Sequence, residues 1–333
     1  MKILLTIIFG LAAVSAHAGT RQGALFLNDA VPADVLAMNG AATAVTYSAS
    51  ALFGNPAGAA LSSASRELVV THSIGLVDSR MDSLAYTQRL HGSDDTSMFG
   101  ATPNGLVSQK QSHGYPLVLG ASAIYYSYGT FQAYDESNNG AGSFSASDSA
   151  LAFSVARRLN SRFAAGATFR GIQQQLGPQA KASGVSGDLG LIAQTGVRGL
   201  SASAAVTNMG SGLKYSGQSY ALPTLGRMGL GYQVSMLTVA VDMGVPVNGG
   251  QRQFGVAFQV LPVQTLALRM GYVGQLGHQN NGVKLSEGNQ FSNFAGLGAG
   301  IGLHLGERFT LDYTLMPHQA LNETQRFTLS SRF

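Results

Sequence analysis

The residues able to do chemistry are few and scattered. Seven histidines are spread over 333 residues with no HExxH run and no paired spacing, and cysteine is absent. A zinc centre needs three or four converging His, Cys or carboxylate ligands, so neither a metal nor another cofactor is expected. An esterase would need a serine within reach of a histidine that is itself held by an acid. His304 is the histidine that falls inside a late alternating segment. No motif marks a serine partner for it, and an inward polar side chain accounts for it. Gly296-Leu297-Gly298-Ala299-Gly300-Ile301-Gly302 is as glycine-rich as a phosphate loop but lacks the Lys-Ser/Thr and the helix start that such loops require. Within a strand, these glycines would let another part of the chain approach closely. The chain is not expected to be an enzyme.

What remains is a set of charges lying inside alternating segments. In 163–170, Phe163, Ala165, Ala167 and Phe169 share one face and Arg170 takes the other; in 308–316, Phe309, Leu311, Tyr313 and Leu315 oppose Asp312. Arg269 is out of phase with Leu268, Met270 and Tyr272, Asp242 with Val239, Val241 and Met243, and Arg227 with Met228, Leu230 and Tyr232. A lipid-facing arginine at mid-membrane would cost about 2–4 kcal/mol. Arg170, Asp188, Arg227, Asp242, Arg269 and Asp312 are therefore expected to face a lumen and to pair across it.

Such charges need strands to hold them. Asp, Glu, Lys and Arg make up only 11% of the chain, against about 25% for a soluble domain. Mean hydropathy is nevertheless only +0.13, as expected where lipid-facing and lumen-facing side chains alternate. A net charge of +4 and no basic run with interleaved aromatics give no case for nucleic acid. Period-two segments near 66–77, 81–90, 116–129, 150–159, 162–175, 184–197, 200–210, 223–234, 236–246, 252–261, 264–274, 293–305, 308–317 and 324–333 predict about fourteen antiparallel strands. Tight connections such as Asn160-Ser161 and Gly306-Glu307 alternate with long ones such as Gly129 to Ser149, Leu176 to Ser183 and Asn208 to Leu222. His91 to Pro116 breaks this alternation and is either a missed pair of strands or an inserted loop. A soluble sandwich would share the parity, but would carry more surface charge. Tryptophan is absent, so Tyr125, Tyr126, Tyr232, Tyr272 and Tyr313 are the candidates for interfacial girdles.

Both ends agree with a membrane barrel. Met1-Lys2, the apolar run Ile3 to Val14 and Ala16-His17-Ala18 read as a signal peptide over 1–18. The last segment alternates through Phe327, Leu329 and the terminal Phe333, a pattern that the barrel assembly machinery reads. Location in the bacterial outer membrane, in contact with its lipid, is expected. The fold expected is an all-β transmembrane antiparallel barrel of about fourteen strands over 66–333, preceded over 19–65 by a plug or hatch. That segment is apolar, rich in small residues and without period-two alternation, and it would be exposed unless it folds into the lumen.

Ala37-Met38-Asn39-Gly40-Ala41 and Ala51-Leu52-Phe53-Gly54-Asn55-Pro56-Ala57-Gly58 resemble the N-terminal hatch of the FadL-like barrels. The closer resemblance is to the PorV/PorQ family, through Ser186-Gly187-Asp188-Leu189, Thr207-Asn208-Met209-Gly210, Leu222-Pro223-Thr224-Leu225-Gly226-Arg227, Leu268-Arg269-Met270-Gly271-Tyr272 and Leu311-Asp312-Tyr313-Thr314-Leu315-Met316-Pro317. Departures include Tyr47 to Ser50, where the family has acidic residues, and Asn322 and Gln325 near the end. The resemblance implies that Asn55, Pro56, Ala57 and Gly58 form a plug motif. It also implies a part in type IX-like protein secretion, binding the secretion channel or its cargo protein. The FadL-like alternative is passage of a hydrophobic ligand, a fatty acid or hydrocarbon, with Leu52 and Phe53 lining an apolar pocket. A purely structural role is a third reading.

Overall fold

A computed structural model describes residues 21–29, 31–75, 79–90, 115–134, 138–177, 180–215, 217–276, 296–318 and 322–333. Fourteen strands close into a barrel: β1 (Arg66–Ile74), β2 (Arg80–Arg89), β3 (Leu117–Tyr134), β4 (Gly140–Arg158), β5 (Phe163–Leu176), β6 (Ala180–Gln194), β7 (Leu200–Gly210), β10 (Leu225–Val234), β11 (Leu237–Pro246), β12 (Arg252–Val263), β13 (Leu266–Leu276), β14 (Leu297–Leu305), β15 (Phe309–His318) and β16 (Asn322–Arg332). A separate hairpin, β8 (Leu213–Tyr215) with β9 (Gln218–Tyr220), lies between β7 and β10. Each barrel strand pairs antiparallel with the next, and β1 pairs with β16 to close the ring. Closure leaves no open sheet edge, the condition for strands to cross a hydrocarbon layer. Two stacked sheets are thereby ruled out.

Parity sets the two faces. Leu151, Phe153, Val155, Phe169, Leu189, Leu230, Met270, Leu311, Phe327 and Leu329 are outward and exposed, while their neighbours Ser154, Thr168, Arg170, Asp188, Asp312 and Thr328 are buried inside. Exposed rows of large apolar side chains around a closed ring suit lipid, not water. Tyr125, Tyr232 and Tyr272 are outward. Tyr126 is not: it turns inward, 4.7 Å from Tyr128 by ring centroid, because successive strand residues face opposite sides.

The half of the barrel that carries the long connections is more regular than the sequence predicts. The expected loop Gly129 to Ser149 is mostly strand, with β4 starting at Gly140, and Leu176 to Ser183 is mostly strand as well. Beyond the lipid belt both faces of a hairpin meet water, so Gly142 to Ser145 are all exposed and burial alternates only from Ala146 onward. Asn208 to Leu222 holds the β8–β9 hairpin. Residues 1–18 and most of His91 to Pro116 lie outside the described residues.

Residues 24–29 and 31–62 form short turns: α1 (Phe26–Asp29), α2 (Ala33–Ala37) and two 3-10 turns, η1 (Ala49–Phe53) and η2 (Pro56–Leu61). Local side chains start the last two. Ser48 Oγ accepts from Ser50 N at 3.2 Å, and Asn55 Oδ1 accepts from Ala57 N at 3.2 Å with Pro56 in the first turn, where a missing N–H costs nothing. These turns lie against β1 to β6 on one side of the ring and β13 to β16 on the other. Glycines on the wall make the room. A Cβ at Gly300 would lie 2.6 Å from Ala37 Cβ, one at Gly190 would strike Asn55 Oδ1, and one at Gly271 would strike the Met38 backbone.

Candidate functional site

The inward wall has two unlike sides, and the N-terminal segment lies against both. On the β1–β6 side, Leu52 (1% exposed) and Phe53 pack with Val69, Met81, Ala85, Val118 and Ile124 in one apolar cluster. Alternation places these side chains, with one strand residue in two turned inward, and Gly120 leaves space opposite Leu52. Burying a leucine or phenylalanine side chain contributes roughly 1.5–3 kcal/mol. As packed, Leu52 and Phe53 fill the position that the sequence marks as a pocket lining.

The other side is polar. Arg269 Nη1 meets Asp312 Oδ1 at 2.5 Å and its Nε donates to Gln259 Oε1 at 2.7 Å. Arg326 Nη1 donates to the carbonyls of Asp29 and Val31 at 2.7 and 2.5 Å. Ala33 N donates to Thr328 Oγ1, and Thr314 Oγ1 to the Ala33 carbonyl. Asp242 Oδ2 accepts from Thr43 N at 3.1 Å and Thr43 Oγ1 at 2.7 Å. Asp34 of α2 accepts from Ser50 Oγ at 3.2 Å. Burial, with the Asp312 carboxylate beside it, pushes the Asp34 carboxyl up to about 6, against the opposing pull of Arg269.

The six charges singled out in the sequence all sit inside the ring, but they come together unequally. Arg170 and Asp188, on adjacent β5 and β6, pair at 2.7 Å, with Asn208 Oδ1 accepting from Arg170 Nη1 at 2.9 Å. Arg269 and Asp312 pair over two strands. Arg227 and Asp242 lie on adjacent strands without an ion-pair contact and flank a small crevice. The pairs thus run along the wall, between near neighbours, not across the lumen.

Asn55 Nδ2 donates to the carbonyls of Thr43 and Leu191, tying η2 to an earlier turn and to β6. Pro56 and Ala57 lie against Gly166, and Gly58 against Thr46 and Ala51. Phe327, Leu329 and Phe333 are outward. His304 Nδ1 lies 3.1 Å from the Gln264 carbonyl. Sequence reasoning missed Glu67, fully buried, which accepts from Ala49 N at 2.8 Å and Arg332 Nε at 3.0 Å, and it missed Arg326. Parity alone would have found both: Glu67 shares a face with Val69 and Thr71, and Arg326 with Thr328.

No family model matches the sequence, and no curated protein matches it. Solved structures do match in fold. The chain is similar to the CymD monoaromatic hydrocarbon channel, with 10% identity, a TM-score of 0.60, and 91% of this chain and 97% of that chain covered. It is similar to the Ralstonia pickettii toluene transporter TbuX, with 13% identity, a TM-score of 0.58, and 93% and 100% covered. It is also similar to a Pseudomonas aeruginosa FadL homologue, with 10% identity, a TM-score of 0.53, and 95% and 99% covered. With its apolar outer belt and closed ring, this chain is a barrel of the bacterial outer membrane, and its fourteen-strand fold is that of the FadL-type barrels.

Proposed function

We propose that this chain is an outer-membrane channel for a small hydrophobic solute, with residues 19–65 as a plug inside a barrel formed by 66–333. The observation that carries the reading is the apolar cluster around Leu52 and Phe53 on the β1–β6 side of the lumen. A purely water-filled pore has no use for an apolar inner wall, whereas a hydrocarbon or acyl chain crossing the polar cell surface needs one. The hydrocarbon channel and the toluene transporter that share the fold support the same reading. Type IX secretion, the first function implied by the PorV/PorQ resemblance, has no support among the fold likenesses.

In this reading Asn55, Pro56, Ala57 and Gly58 keep the plug turned against β5 and β6. Arg170, Asp188, Arg269 and Asp312 stiffen the wall, and Phe327, Leu329 and Phe333 serve recognition by the assembly machinery. Because the apolar cluster is filled, passage requires the N-terminal segment to shift. Cysteine is absent from the chain, so one engineered pair gives a clean lock. A Cβ at Gly255 would lie 3.3 Å from Ala41 Cβ, near the roughly 3.8 Å of a disulfide. Toluene uptake into proteoliposomes holding the Ala41→Cys, Gly255→Cys double variant is expected to stop on oxidation and return on reduction. Uptake indifferent to the lock, or no faster than in protein-free vesicles, refutes the channel.

A further inference from the structure

The inward arginines differ in their partners. Arg170, Arg269 and Arg326 are each bonded to side chains or carbonyls. The Arg227 side chain makes no hydrogen bond or ion-pair contact among the described residues, and neither does that of Gln253. Both line one crevice between the Asn39-Gly40 turn and strands β10 to β13, together with Asp242. Asp242 is 3% exposed; its Oδ2 is taken by Thr43, while its Oδ1 is buried with no partner. Buried acceptors are rarely left unpaired without a ligand or water to meet them. Gly40, Gly244 and Gly255 supply the space, which admits about one water-sized oxygen.

We propose that this crevice binds the hydroxyl group of a neutral alcohol or phenol. The oxygen takes the water-sized space, accepts from the Arg227 guanidinium and donates to Asp242 Oδ1, while the hydrocarbon part extends into the lumen. The three polar groups select this chemistry. A carboxylate would face Asp242, an ammonium would face Arg227, and a bare hydrocarbon would satisfy neither. A hydroxyl is both acceptor and donor, and it reproduces the bonds of the water it displaces. A site built to pair a hydroxyl discriminates strongly against the analogue that lacks it, because its own groups are then left unpaired. The inference rests on the reading that hydrophobic solutes enter the lumen, and it names the head group of that solute.

The test is calorimetric titration of the full chain in detergent with two probes, benzyl alcohol and toluene. Benzyl alcohol is expected to bind at least about tenfold more tightly. Arg227→Met and Gln253→Leu, which break no bond among the described residues, are expected to remove that preference and leave toluene binding unchanged. Equal binding of the two probes, no binding of benzyl alcohol, or a preference that survives Arg227→Met would each overturn the proposal. Failure of the channel reading shows separately, as toluene uptake no faster than in protein-free vesicles while the alcohol still binds.

Discussion

The two sides of the lumen hold the same N-terminal segment by different means. On the β1–β6 side, Leu52 and Phe53 meet Val69, Met81 and Ile124 through non-directional contact, beside the bonds of Ala49 N to Glu67 and of Asn55 to the Leu191 carbonyl. On the β10–β16 side, Ala33, Thr43 and the Asp29 and Val31 carbonyls are held by directional bonds from Thr314, Thr328, Asp242 and Arg326. Apolar contacts survive sliding by an ångström, while buried hydrogen bonds to charged groups do not. The polar side thus holds the segment in one register through many directional bonds, while on the other side Glu67 and the Leu191 carbonyl fix Ala49 and Asn55 and the packing around Leu52 and Phe53 tolerates a shift.

Three substitutions test that contrast. Asp312→Ala leaves the Arg269 guanidinium buried without its carboxylate, and is expected to cost about 3–5 kcal/mol in urea unfolding of the reconstituted barrel. A loss under 1 kcal/mol would show that this wall pair contributes little to the stability of the polar side. Leu52→Ala empties part of the apolar side and is expected to cost about 2–4 kcal/mol, whereas Leu52→Met is expected to cost under about 1.5 kcal/mol. Equal losses for these two variants would mean that the apolar side is as shape-specific as the polar one.

The smallest effect is the dependence on pH through Asp34. Its folded carboxyl titrates near 6, against a usual value of 3.8. Between these values the folded chain holds a proton that the unfolded chain has released, so stability falls as pH rises from about 4 to about 6 and then levels. Asp34→Asn is expected to flatten that slope in urea midpoints taken at successive pH values. A slope unchanged by the substitution would assign it to another group.

Much of the wall was legible in the sequence, since Arg170, Asp188, Arg227, Asp242, Arg269 and Asp312 betray their face by being out of phase with bulky neighbours. The hairpin ends were not legible, because Gly140 to Ser143 are all small residues with no lipid to sort them by. Nor was the site. Arg227 and Gln253 look no different in sequence from the paired Arg269 and Gln259, and which of them finds a partner depends on where the Asn39-Gly40 turn lies.

Strand parity is local and fixed by the backbone, so the face taken by the charged residues within the lipid-spanning strands could be read from the sequence. The sequence also marked the segment before Arg66 as something other than strand. Only the tertiary structure decided the partners: Ala33 meets Thr328, Thr43 meets Asp242 and Glu67 meets Arg332 across separations of 295, 199 and 265 residues. Those meetings require the ring to close. Ring closure sets distances between residues that no local pattern relates.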